Sequence, residues 1–138
     1  MVTISFEGFD GIVVDALVDS GSEHVLADAS IADALGIDLT NAFDSEPLGI
    51  AGAVVEARFA AVNALLIPWV PHDIAPIEWS LDVGFIKAWL PLYPVILGNR
   101  GFFDQFTVSL SRFAQTTAVE PSTTFDERFG VLPPASKR

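Results

Sequence analysis

Strict period-two alternation opens this chain, and it restricts the possible folds more than any other feature. In "TISFEGF", Ile4 and Phe6 alternate with Ser5 and Glu7, the pattern of a half-buried strand. Asp10-Gly11 is a strong hairpin signal, and "IVVDALV" follows as a second strand, with Asp15 read as its solvent-side residue. β structure is therefore expected through about the first 27 residues.

The period then changes. Asp28 is placed to cap a short helix, "ASIADAL", in which Ile31 and Leu35 stand at i and i+4, and Gly36 occupies the C-cap position. Ile37-Asp38-Leu39 is expected to resume extended structure. "LGIAGAVVEARFAAVNALLI" puts Gly49 and Gly52 at an expected turn. Its Ala and Leu content makes helix a competitor. The alternation of Val55, Ala57, Phe59 and Val62 after the glycines favours a hairpin. Residues 68–94 hold five prolines and all three tryptophans, so short strands and loops are expected there. Val95-Ile96-Leu97 reads as a buried strand, "NRGFFDQF" as one or two helical turns, and Phe106, Val108 and Leu110 as a further strand. "FAQTTAVEP" is a segment that could pair at an interface. The expected fold is all-β with one or two short helices. It forms one domain over residues 1–128, with a loose tail over 129–138.

Composition excludes several functions. Seven basic residues stand against 18 acidic ones, for a net charge of −11. The basic residues are scattered, so nucleic acid is not an expected partner. There is no cysteine, which removes disulfides, thiolate metal sites and a cysteine nucleophile. No segment is long and apolar enough to span a bilayer, and "MVTISFEGFD" does not read as a signal peptide. A cytoplasmic protein with no membrane contact is expected. No cofactor or metal is expected: His24 and His72 are the only histidines and have no zinc-site spacing. For both, a surface or capping role is the expectation. Asp104 is expected on a helix surface.

The stretch "ALVDSGSEH" poses the central question. Asp-x-Gly is common in ordinary turns, where Asp bonds its own backbone and Gly supplies positive φ. Here, however, the acid follows an apolar strand, and a second apolar strand ending in Gly, "VILG", lies 79 residues downstream. "ALVDSGSEHVLADASIADALGI" resembles the active-site segment of retropepsin-like aspartic proteases, especially small bacterial, single-motif members. "YPVILGNRGFFDQFTVSL" is similar to their second signature, and "LGIAGAVVEARF" stands where that family has its flap hairpin. The resemblance covers roughly residues 3–113.

It implies a closed or partly open β-barrel that works as a two-fold homodimer, since no second Asp-[Ser/Thr]-Gly exists in the chain. It implies Asp19 as the catalytic carboxylate, with Ser20 and Gly21 supporting its loop. Gly49, Ile50, Ala51 and Gly52 would form a flap over an extended peptide substrate. The implied activity is that of an aspartic endopeptidase, with water activated between two Asp19 carboxylates that share one proton. Ser22 stands where alanine is common in the family, and the segment 68–94 is longer and more aromatic than in compact members. Two alternatives accompany this reading: a peptide- or protein-binding module without turnover, and a dimerisation domain with neither role.

Overall fold

Alternation at the N-terminus becomes a hairpin. β1 (Val2–Phe6) pairs antiparallel with β2 (Ile12–Val18), from Val2↔Ala16 to Phe6↔Ile12. Ile4 and Phe6 are completely buried, while Asp15 is exposed and accepts a hydrogen bond from the Thr3 hydroxyl at 3.0 Å. The computed structural model describes residues 1–8, 11–69 and 74–130. Asp10 of the expected turn, His72 and the tail from residue 131 onward lie outside the described residues.

β3 (Val25–Asp28) leads directly into α1 (Ala29–Leu35). The Asp28 carboxylate accepts the Ser30 N–H at 3.0 Å, and Gly36 closes the helix in the left-handed conformation. Ile31 and Leu35 point into the core from one helix face. Extended structure does not resume at Ile37-Asp38-Leu39 as the sequence suggests. Asp38 instead caps a 3-10 turn over Leu39–Asn41. Its carboxylate gathers the Thr40 hydroxyl, the Thr40 N–H and the Asn41 amide, which outcompete a strand locally. The same bonds, the Thr40 hydroxyl foremost, hold the Asp38 carboxyl below its ordinary range.

β4 (Asp44–Ile50) and β5 (Ala53–Ile67) form the expected hairpin, so the helix alternative for this segment is not realised. The two-residue turn consists of Ala51 (φ 48°) and Gly52 (φ 81°), the paired positive φ values of a type I′ connection. Gly49 is not in the turn. It lies within β4, opposite Val54. β6 (Ile77–Ile86) is ten residues long, against the expectation of short strands between 68 and 94. The reason is where the prolines fall: Pro76 immediately precedes the strand and Pro91 and Pro94 follow it, so residues 77–86 are proline-free and alternate cleanly. β7 (Val95–Leu97) is the expected buried strand.

Six strands close into a barrel in the order β1-β2-β7-β3-β6-β5, and β5 returns to β1 through Thr3↔Ile67 to Phe6↔Ala64. β2–β7 and β3–β6 are parallel, and the other pairs are antiparallel. Residues 98–105 form a series of turns rather than helix. Phe103 N–H reaches the Gly98 carbonyl and Asp104 N–H reaches the Asn99 carbonyl, and Gly101 at φ 98° breaks any helical run.

β8 (Phe106–Ser111) and β9 (Thr116–Pro121) form a separate hairpin, in which "TTAVEP" pairs within its own chain. α2 (Ser122–Phe129) follows, a helix with no clear sequence signal. Phe106, Val108 and Val119 join this hairpin to the barrel core. Among the described residues, no helix is long and apolar enough to cross a membrane.

The barrel interior is filled by one continuous apolar cluster that includes Ile4, Phe6, Val83, Phe85 and Leu97, with Trp79, Phe102 and Phe106 packed together in it. Phe102 is fully buried, with ring centroids of Trp79 at 6.2 Å and Phe106 at 5.2 Å, and the Trp79 indole N–H donates to the Gly101 carbonyl at 2.8 Å. Phe102→Ala is expected to cost about 3–5 kcal/mol in urea-induced unfolding, because the closed barrel cannot collapse into the cavity it leaves. A change below about 1 kcal/mol would mean that this aromatic plug does not carry the core.

Candidate active site

Parity along the strands gives the barrel two apolar faces. Val62, Ala64 and Leu66 of β5 point inward with Val83 and Phe85 of β6. The opposite parity, Ala57 and Phe59, points outward and is nevertheless buried. Register aligns these outer residues across the strands. Ala57 faces Ile86, Phe59 faces Gly84, Gly84 faces Leu26, and Leu26 faces Ile96. A second cluster therefore runs over the outside of the sheet. Leu48, Ile50 and Val55 of the hairpin, together with Trp89, lie against it. Gly84 makes this possible, since a Cβ there would fall 2.9 Å from Leu26 Cδ2 and 3.0 Å from the Phe59 ring.

Asp19 emerges at one end of this outer face. Leu17 of β2 pairs with Ile96, and Asp19 follows two residues later, just beyond the strand. Its N–H donates to the Leu97 carbonyl at 3.0 Å, which ties the loop to the end of β7. The half-buried Asp19 carboxylate accepts the Gly21 N–H at 2.9 Å, and its carbonyl accepts the Ser22 N–H at 3.1 Å. Ser20 and Gly21 are exposed at the crest. The Ser22 hydroxyl turns back to the His24 carbonyl at 2.8 Å.

The segment after β7 locks this loop. The Asn99 side-chain amide donates to the Ser20 and Ser22 carbonyls, both at 3.0 Å, and its backbone N–H donates to Ser22 at 2.9 Å. Arg100 N–H donates to the Glu23 carbonyl at 2.8 Å, and the Arg100 guanidinium pairs with the Glu23 carboxylate at 3.0 Å. Gly98 has no room for a side chain, because its Cβ would sit 2.1 Å from the His24 carbonyl oxygen. The sequence pointed to "VILG" but not to Asn99. The signal available was an amide side chain directly after the glycine, a residue type able to span two carbonyls.

The hairpin tip stands over the outer cluster. Ile50 is half-buried against it, whereas Gly49, Ala51 and Gly52 are exposed. His24 is not the surface residue the sequence suggested. Only 9% of it is exposed, and its ring meets Phe59 edge-on at 5.0 Å. It shares the parity of Leu26 and so belongs to the same outer face. Asp104 is exposed but sits in the turn region, where its carboxylate accepts the Gly101 N–H at 3.2 Å. Among the described residues, no group of three or more His, Cys, Asp or Glu could hold a metal ion.

The close packing at Gly98 yields a direct test. Gly98→Ala forces a backbone shift in the Asp19 loop and is expected to cost about 3 kcal/mol in urea unfolding. The amides of residues 19–24 should lose protection from hydrogen exchange more than those of β5. Unchanged stability would show that the two loops are not locked together. No protein-family model, curated protein or solved structure matches the chain.

Proposed function

We propose that this chain is an aspartic endopeptidase of the retropepsin-like type, acting as a two-fold homodimer on extended peptides. One observation carries the reading: a carboxylate, Asp19, held on a turn at the end of a closed six-stranded barrel and locked by Asn99 from the segment that follows β7. The outer apolar face and the Ala51-Gly52 hairpin beside it supply a floor and a flap for an extended chain.

A single carboxylate cannot hold both an acid and a base. Two Asp19 groups on a two-fold axis can, because like charges a few Å apart share one proton rather than both ionising. The ionised carboxylate takes a proton from water as the water oxygen attacks the scissile carbonyl. The protonated carboxyl hydrogen-bonds the carbonyl oxygen as it gains charge. Collapse of the tetrahedral intermediate breaks the C–N bond, and the departing nitrogen takes a proton from the dyad. Ser20 is exposed at the crest, and in this reading its hydroxyl bridges the two loops. Gly21 fixes the carboxylate through its N–H.

Two outcomes test the reading. Asp19→Asn should retain the dimer in analytical ultracentrifugation and lose cleavage of a peptide library at mildly acidic pH by at least about a thousandfold. Specific activity of the wild type should rise with protein concentration wherever monomer dominates, because the site exists only in the dimer. A wild type that cuts nothing from acidic to neutral pH would leave a peptide-binding module in place of an enzyme. Concentration-independent activity of a monomer would remove the two-fold dyad.

A further inference from the structure

The outer apolar face does not end in solvent. About 7 Å along the strands from Leu26 and Leu48, two residues on each, stand His24 and Glu46. They open a cavity of about 410 Å³, of a size ordinary for ligand pockets. Phe59 forms part of its wall. Its charge is one-sided, with four carboxylates, those of Asp44, Glu46, Asp82 and Asp104, against one guanidinium, that of Arg100. The Arg100 guanidinium is already paired, through Nη2, with Glu23, which does not line the cavity.

Register explains the convergence. Asp44 and Phe59 are cross-strand partners, as are Ala61 and Asp82, so all four project on the face that carries the apolar cluster.

His24 sets this pocket apart from a merely acidic surface. Its Nε2 is buried, has no hydrogen-bond partner among the described residues, and lies 3.5 Å from Glu46 Oε2. That separation exceeds an ordinary N–H···O bond, so one polar atom at the pocket wall stays unsatisfied until Glu46 shifts toward it. The Glu46 carboxylate thus has a waiting partner on its protein side and open space on the other.

We propose that this pocket receives the cationic side chain of a lysine or arginine in the peptide lying along the outer face. The inference rests on the endopeptidase reading, since it assigns a side-chain preference to that same cleft. The aliphatic stem passes over Phe59, and the ammonium or guanidinium group sits among Asp44, Glu46 and Asp82. Binding draws Glu46 into a network with the cation on one side and the His24 imidazole on the other.

Two measurements test it. In the first, the wild type digests a peptide library and the products are read by mass spectrometry. Lys and Arg should be enriched at one fixed position from the cut. Glu46→Gln with Asp82→Asn should lower the Lys-to-norleucine ratio of kcat/KM about fivefold. In the second, Asp19→Asn protein is titrated with N-acetyl-lysine N-methylamide and with its norleucine counterpart while the His24 ring resonances are followed. Only the lysine compound should move them, and the double variant should abolish the shift.

Cleavage with no enrichment overturns the pocket assignment and leaves the endopeptidase reading standing. A lysine-specific His24 shift without any cleavage sustains the pocket and overturns the endopeptidase. Equal response to both compounds overturns the pocket whatever the protein cuts.

Discussion

One strand holds the molecule together. The fifteen residues of Ala53–Ile67 pair with β6 along one edge, and along the other first with β4 and then with β1. The β1 pairing closes the barrel, and the β4 pairing carries the hairpin beyond it. Because side chains alternate, the same strand serves two apolar layers. Ala60, Val62, Ala64 and Leu66 face the interior, while Ala57 and Phe59 lay down the outer cluster. A one-residue slip would exchange the two sets and empty both layers at once. The position of the hairpin over the outer face follows from the register that seals the core.

The outer cluster would ordinarily be a liability, since apolar side chains on the outside of a barrel invite association. Here they are partly covered by the chain itself through Leu48, Ile50 and Trp89. Trp89 is fixed by its indole N–H bond to the Tyr93 carbonyl at 2.8 Å. The result is a half-covered apolar floor, with the polar Asp19 loop and the charged cavity at the same end of the strands, held side by side through Gly98–Arg100.

Much of this was legible in the sequence where local chemistry decides. Asp28 and Gly36 marked the ends of α1, alternation marked β1 and β2, and Asp19 and "VILG" marked the two segments that meet. The misses came where distant contacts decide. Asp38 turned its loop into a 3-10 turn through three donors that strand periodicity cannot register. The length of β6 depended on where the prolines stopped rather than on how many there were. His24 is buried only because Phe59 packs against it, and Gly84 leaves the space for that ring. No pattern in either segment alone announces such a three-strand arrangement. Asn99 acquires its role from carbonyls 79 and 77 residues away.

That last separation has a consequence for how the protein comes into being. The Asp19 loop is made before the segment that fixes it, and every bond that locks it from the β7 side comes from Leu97, Asn99 and Arg100. β2 likewise has no parallel neighbour until Val95–Leu97 exists. Until about residue 100 clears the ribosome, the loop can only sample its final shape. The Asp19 loop is therefore fixed among the last parts of the barrel, so a chain that stops short of β7 carries Asp19 without the framework that holds it in place.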